Sequence, residues 1–219
     1  MSIQGKHIVV TGGGSGVGAK TAKALAKQGA KVTIMGRKET TLQEQCLPYQ
    51  LCDVTNEKNV ELAFDAVRSE YGPIWGVVAN AGNATSLPFK KAHQAHLQSM
   101  LEVNLIGVSN SFRAGLPDML DANEGRMIAI ASTAGLKGYA YASAYAAAKH
   151  GVLGLVRSLA IELAPKGITV NAICPSYTET PMLDRAIANI TKISKISISE
   201  AQKILLKGNP QDRFIQTDE

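Results

Sequence analysis

Tyr145 and Lys149 are the pair with the clearest chemical potential. They stand as YAAAK inside a stretch patterned as a helix over Ser143–Ala164. Four residues of separation places both side chains on one helix face. A free phenol ionises near pH ~10, and an ammonium held beside it favours the phenolate and draws that value toward neutrality. A tyrosine tuned in this way can give or take the hydroxyl proton of an alcohol. Ser132, in IASTAG, follows an apolar run that reads as a strand. A hydroxyl there can hydrogen-bond a carbonyl oxygen as negative charge develops on it. Asn104, in LEVNLIG, is a polar amide within an apolar helical pattern, which suits either a satisfied core residue or a functional one. Singly these features are commonplace: Tyr and Lys at this spacing often only decorate a surface, and a serine ending a strand is an ordinary turn residue.

Short apolar runs alternate with longer helical patterns around these residues. The strands expected are His7–Val10, Val32–Met35, Trp75–Ala79, Arg126–Ala131 and Thr169–Cys174, with a weaker one at Tyr49–Cys52. Their Val and Ile content and flanking glycines suit buried strands. Helices are expected over Val17–Gln28, Glu57–Tyr71, Ala92–Leu120 and Ser143–Ala164. In the last, Val152, Leu155, Val156, Leu159 and Leu163 form one stripe. Gly29 and Gly167 stand where helices end, and Thr55 is the expected N-cap before Glu57. The alternation implies a parallel sheet with helices on both faces, linked by right-handed crossovers. One domain over residues 1–219 is the simplest count. Residues 181–209 depart from the pattern, being rich in isoleucine with Lys192, Lys195, Lys203 and Lys207 interleaved. Ile187, Ile190, Ile193, Ile196 and Ile198 there can line an apolar pocket or pack the segment down, and packing is expected for most.

The turn after the first strand reads TGGGSGVG over Thr11–Gly18 and opens a helix. In an open α/β sheet, ligands bind at the carboxyl ends of the strands. Gly12 allows a tight turn, while Gly16 and Gly18 allow a pyrophosphate to approach the backbone and the helix to approach the sheet. Gly14 and Val17 complete the turn, and Ser15 adds a hydroxyl donor. The helix N-terminus offers free N–H groups and partial positive charge to phosphates. The fold expected is a three-layer α/β Rossmann fold with a mainly parallel, doubly wound sheet.

The TG-x-x-x-G-x-G spacing, followed in order by Asn104, Ser132, Tyr145 and Lys149, resembles the short-chain dehydrogenase/reductase family over essentially the whole chain, Gly5 to Glu219. The resemblance implies that Tyr145 is the acid/base and that Ser132 positions the substrate. It implies that Lys149 holds the nicotinamide ribose and lowers the Tyr145 pKa, and that Asn104 supports a water-linked proton relay. Asp53 and Val54 resemble the family's adenine-contacting pair. Asn80, Ala81 and Gly82, in VANAG, resemble its N-N-A-G lining of the cofactor. PSYTET resembles P-G-x-x-x-T, so that Pro175 shapes the turn and Thr180 holds the nicotinamide amide. Residues 181–209 then correspond to the family's mobile lid. Ala79 and Ser176 depart from the family pattern, and the family's further helix and seventh strand would be expected beyond Glu219.

NAD-preferring sites usually place an acid at the end of the second strand. Here TIMGRKE puts Gly36 at that position, with Arg37 and Lys38 behind. A guanidinium can pair with a ribose phosphate in forked geometry, so NADP is favoured and NAD remains an alternative, with Arg37 then stacking on adenine. A medium-chain ketone or 3-oxoacyl thioester is the expected substrate. A family relative that binds the nucleotide as a sensor or scaffold without turnover is the alternative function. The net charge of +5 is mild and spread along the chain, which gives no nucleic-acid footprint. The three cysteines, Cys46, Cys52 and Cys174, lack C-x-x-C spacing, and the four histidines are scattered. Neither a disulfide framework nor a metal site is expected. No apolar run reaches bilayer length. A cytoplasmic protein is expected, and the resemblance implies a homodimer or homotetramer.

Overall fold

β1 (His7–Thr11) runs through the centre of the sheet, pairing in parallel with β2 (Lys31–Gly36) on one side and β4 (Gly76–Ala79) on the other. β3 (Tyr49–Leu51) lies outside β2, while β5 (Gly125–Ile130) and β6 (Ile168–Ile173) continue beyond β4. The order is β3-β2-β1-β4-β5-β6, and every pairing is parallel. The structure is a computed structural model describing residues 2–207 and 209–219. Met1, at the start of the expected domain, and Gly208, within the expected 181–209 segment, lie outside the described residues.

Strand alternation divides the sheet between two cores. Ile8, Val10, Val32, Ile34, Val78 and Ile130 face α1 (Gly16–Lys27) and Leu42 of the short α2 (Glu39–Gln43). Val9, Met35, Val77, Met127 and Ala129 face the other way. There they meet α3 (Glu57–Tyr71), α5 (Gly107–Ala122) and α6 (Ser143–Leu163). The expected stripe on α6 is on the core side: Val152, Val156 and Leu163 are buried, with Leu155 and Leu159 packed beside them. Burial on both faces explains why the strands read as apolar runs. Gly29 and Gly167 take positive φ where helical segments end, as expected. Among the described residues no helix is long and apolar enough to cross a membrane.

Three expectations are corrected. The helix expected over Ala92–Leu120 is not continuous. A 3₁₀ turn at Phe89–Lys91 precedes α4 (Gln94–Leu101), and a widened π-helical turn at Glu102–Ile106 joins α4 to α5. Thr55 does not cap α3. Asn56 does, accepting from Asn59 N–H at 3.0 Å, because the Thr55 hydroxyl is taken up 2.8 Å from Asp53 Oδ1. The five-residue α2, too short to show a period, was not expected.

Beyond the sheet's carboxyl edge, α7 (Pro181–Ser194) and α8 (Ile198–Leu206) build a separate small core of Leu183, Ile187, Ala201 and Phe214. Ile190 and Ile196 pack against it, whereas Ile193 and Ile198 are exposed. Packing is thus the role of most of these isoleucines.

At the opposite edge, His7 is buried with both ring nitrogens engaged. Nδ1 lies 2.8 Å from the Gly72 carbonyl and Nε2 lies 3.0 Å from Thr33 Oγ1. A carbonyl only accepts, so Nδ1 carries the proton and the neutral ring accepts from the Thr33 hydroxyl at Nε2. Burial holds His7 below its ordinary value of 6.5, against the Gly72 bond and the Asp118 charge that raise it; Lys31 and Arg68 add to the lowering. The unfolded chain therefore takes up this proton first as pH falls. Stability should decline below about pH 6.5 and level off once the folded imidazole also protonates. His7→Gln should flatten that part of the profile, which urea unfolding from about pH 7.5 to about pH 5 would measure.

Candidate active site

The strand order reverses between β1 and β4, and this is where an open sheet leaves a crevice. The turns following these strands are bound together. Asn80 Nδ2 donates to the Thr11 and Gly12 carbonyls, each at 3.1 Å, and Thr11 Oγ1 accepts from the N–H groups of Asn80 (3.2 Å) and Ala81 (3.3 Å). Gly12 has φ +66°, and a Cβ there would stand 2.8 Å from Ala81 Cα. A Cβ on Gly18 would overlap Asn80 and the Gly12 carbonyl, so α1 meets the turn only because that atom is missing. Ser15 precedes α1 in extended conformation, its hydroxyl makes no capping bond, and the first turn holds no acid. Gly14 accepts from Gln45 Nε2 at 3.0 Å, which ties the turn to the chain just after α2. Gly16 faces Thr180, and Val17 packs into the core beneath α1.

The four catalytic candidates come from three elements. Ser132 follows β5, and its Oγ accepts from Ala134 N–H at 3.1 Å. The turn at Gly135 lies against the Lys149 backbone, where a Cβ would come within 2.7 Å of the carbonyl oxygen. Tyr145 and Lys149 project from the first turns of α6, with Lys149 Nζ 5.7 Å from the Tyr145 ring centroid. Asn104 sits in the π-helical turn and is fully buried. Its Nδ2 donates to the carbonyls of Asn83 (2.8 Å) and Met100 (3.0 Å), and its Oδ1 accepts from Asn83 N–H at 3.2 Å. Of the two possibilities left open for this amide, the geometry displays the satisfied buried residue, which here clamps the loop after β4. Gly82 lies between Asn104 and Lys149: a Cβ there would be 2.9 Å from Asn104 Oδ1 and 3.9 Å from Lys149 Nζ.

The electrostatics differ from the expectation that Lys149 draws the Tyr145 phenol toward neutrality. Burial pushes the Tyr145 phenol above its usual range, and a hydrogen bond with Ser132 opposes this. Lys149 is 3% exposed. Burial brings its ammonium down to about 8, against a smaller raising effect of Cys174. Nζ donates to the Ile130 carbonyl at 2.8 Å rather than to the phenol.

After β2 and β3, Arg37 and Asp53 face each other at 4.0 Å, Arg37 largely open to solvent and Asp53 half-buried. Val54 is buried beneath α5, its carbonyl accepting from Asn110 Nδ2 at 2.9 Å. Pro175 accepts from Thr133 N–H at 3.0 Å, which joins the loops after β5 and β6. Thr180 is the N-cap of α7, its hydroxyl 3.5 Å from Leu183 N. Thr11, Gln45 and Asn83 also belong to the site and were not singled out in the sequence. Their parts are hydrogen bonds across the fold, and only Thr11 carried a hint, as the first residue of TGGGSGVG.

Residues 6–190 match the family model described as short chain dehydrogenase, and the chain belongs to that family. A Streptomyces coelicolor protein bearing a ketoacyl reductase name is 35% identical over 96% of this chain and 85% of its own length. An acetoacetyl-CoA reductase of Synechocystis is 35% identical over 83% of this chain and 75% of its own. Among solved structures, an actinorhodin polyketide ketoreductase determined with NADPH superposes with a TM-score of 0.92 at 34% identity. That match covers 100% of this chain and 88% of the ketoreductase. The family, its Rossmann-type fold and an NAD(P)-dependent oxidoreductase activity follow from these matches.

The unfolded Lys149 side chain gives up its proton near 10.5 and the folded one near 8, so below that range the folded state carries the full penalty of a buried charge. Lys149→Met should raise thermal stability at neutral pH, by an amount on the order of 3 kcal/mol before allowing for the lost Ile130 bond. It should also remove the part of the parent's stability that is regained between about pH 8 and 10.5. Melting curves of both proteins without added cofactor would test this.

Proposed function

We propose that this chain reduces ketones, and 3-oxoacyl thioesters in particular, with NADPH, using Tyr145 as the proton donor. The observation that carries the proposal is the convergence of Ser132, Tyr145 and Lys149 beside Gly82 and Asn104, at the open end of the glycine turn. The ketoacyl and acetoacetyl-CoA names of two relatives support the substrate class. The NADPH-bound ketoreductase supports the cofactor.

The residues present fit a dinucleotide. The backbone of Gly12, Gly14, Gly16 and Gly18, the Val17 amide and the uncapped Ser15 hydroxyl meet the pyrophosphate at a helix N-terminus free of acids. Arg37 meets the ribose phosphate. Asp53 and Val54 border the adenine, and Asn80, Ala81 and Gly82 line the middle of the cofactor. Lys149 holds the nicotinamide ribose, while Pro175 and Thr180 border the nicotinamide. When bound, NADPH supplies the hydride. Ser132 holds the substrate oxygen as charge builds on it, and Tyr145 gives that oxygen its proton. Burial keeps the Tyr145 phenol in its protonated form, the form that can donate. Asn104 fixes the Asn83 loop on the far side of Lys149 and supports the relay that returns the proton to Tyr145. The sheet and the α7–α8 segment act as one dinucleotide-binding and catalytic domain. From family resemblance, the protein is taken as a cytoplasmic homodimer or homotetramer.

Tyr145→Phe removes the proton and keeps the ring. It should lower kcat by at least about a hundredfold with NADPH affinity retained, and near-parental turnover of a good ketone substrate would refute the mechanism. Arg37→Asp should shift preference from NADPH toward NADH by weakening the phosphate contact. Steady-state kinetics with both cofactors would read this shift, and equal use of the two by the parent protein would remove its basis.

A further inference from the structure

Two rings that the proposed chemistry does not use border the reacting groups. Tyr139, in the loop after β5, has its hydroxyl 2.9 Å from Thr133 Oγ1, and Thr133 is the neighbour of Ser132. Tyr177, in the loop after β6, sets its ring edge-to-face against that of Tyr139, with centroids 6.0 Å apart and planes at 85°. Burial, with the nearby phenols of Tyr139 and Tyr145, holds the Tyr177 hydroxyl above its usual ionisation range, which places both of those phenols within electrostatic reach of Tyr177. The far side of Tyr177 packs on the small core of α7 and α8.

The loop holding Tyr139 is fixed on two further sides. Lys137 Nζ stands 5.4 Å from the centre of the Tyr139 ring. The Tyr141 carbonyl accepts from Leu87 N–H at 2.8 Å, and Tyr141 itself is held at φ +65°, a region bulky residues avoid. Of the isoleucines of α7, Ile187 is buried in the α7–α8 core and Ile190 packs against it. Tyr139 and Tyr177 set two aromatic rings beside Ser132 and Tyr145. Ring faces and edges favour flat partners in stacked or edge-on contact.

The geometry points to Tyr139 and Tyr177 as a specificity-determining wall that selects 3-oxo substrates with a ring on the carbonyl carbon over those with a straight alkyl chain. This rests on the reading of the site as a carbonyl reductase. In that arrangement the ring lies against the tyrosine pair while the carbonyl oxygen reaches Ser132 and Tyr145. The thioester arm leaves on the other side.

The test compares kcat/KM for ethyl benzoylacetate and ethyl 3-oxohexanoate, with NADPH, in the parent protein and in Tyr139→Leu, Tyr177→Leu and Tyr177→Phe. The parent should favour the aryl ester by about tenfold, and each Leu variant should lose most of that preference, mainly through KM. Tyr177→Phe keeps the ring and should keep the preference. NADPH affinity, read by fluorescence, should be retained in all four proteins. A parent that reduces both esters equally well, or Leu variants that keep the parental ratio, would overturn the wall and leave the reductase reading standing. A parent that reduces neither ester, nor any ketone of a wider panel with either cofactor, would overturn the reductase reading and the wall together. Should a Leu variant fail to fold, the parental ratio and Tyr177→Phe decide the matter.

Discussion

The contact between the turn after β1 and the turn after β4 governs the rest of the site. A single amide, that of Asn80, donates to the carbonyls of Thr11 and Gly12, while the Thr11 hydroxyl accepts from two N–H groups of the opposite turn. The arrangement requires that Gly12 and Gly18 lack side chains. From it follow the approach of α1 to the sheet and the direction of its N-terminus. The same turn after β4 leads into Gly82 and Asn83, which meet Lys149 and Asn104. The glycine turn and the Ser132–Tyr145–Lys149 group thus share one hydrogen-bonded support, and a change in it would be felt at both.

Burial sets the electrostatic character of the catalytic group. It acts in opposite directions on the two titratable side chains, favouring the neutral form of each, so the phenol of Tyr145 rises and the ammonium of Lys149 falls. The Ile130 carbonyl fixes the ammonium in place. The fold thus keeps an expensive charge in its interior.

The strands were legible because a parallel sheet covered on both faces writes apolar runs into the sequence, and the α6 stripe because it is long enough to show its period. That Tyr145 and Lys149 share one face of α6 was legible because it depends on spacing along the chain, and the strand–turn–helix setting of the glycine turn because its glycines stand together. The π-helical turn around Asn104 was not, since five residues are too few to show a change of period. Thr55 and Asn56 are adjacent and both able to cap, and the Asp53 carboxylate decides between them through a contact the sequence does not display. The upward shift of the Tyr145 phenol was not legible, because spacing reveals a nearby ammonium but not the loss of water. Tyr139 and Tyr177 lie in different loops, and only the folding of β5 beside β6 makes them neighbours.

The small core of Leu183, Ile187, Ala201 and Phe214 shares no buried residue with the two cores that hold the sheet. Phe214 returns to it from beyond α8, and the adjoining Ile215 exchanges backbone hydrogen bonds with Tyr177 and Glu179. Cooperativity follows buried contacts, so such a cluster forms a unit that can open by sub-global unfolding while the sheet remains native. Amide protons of α7 and α8 would then exchange with solvent at an opening free energy below that of β1 or β4. Because the Tyr177 ring belongs to this cluster, each opening would also unmake its edge-to-face contact with Tyr139.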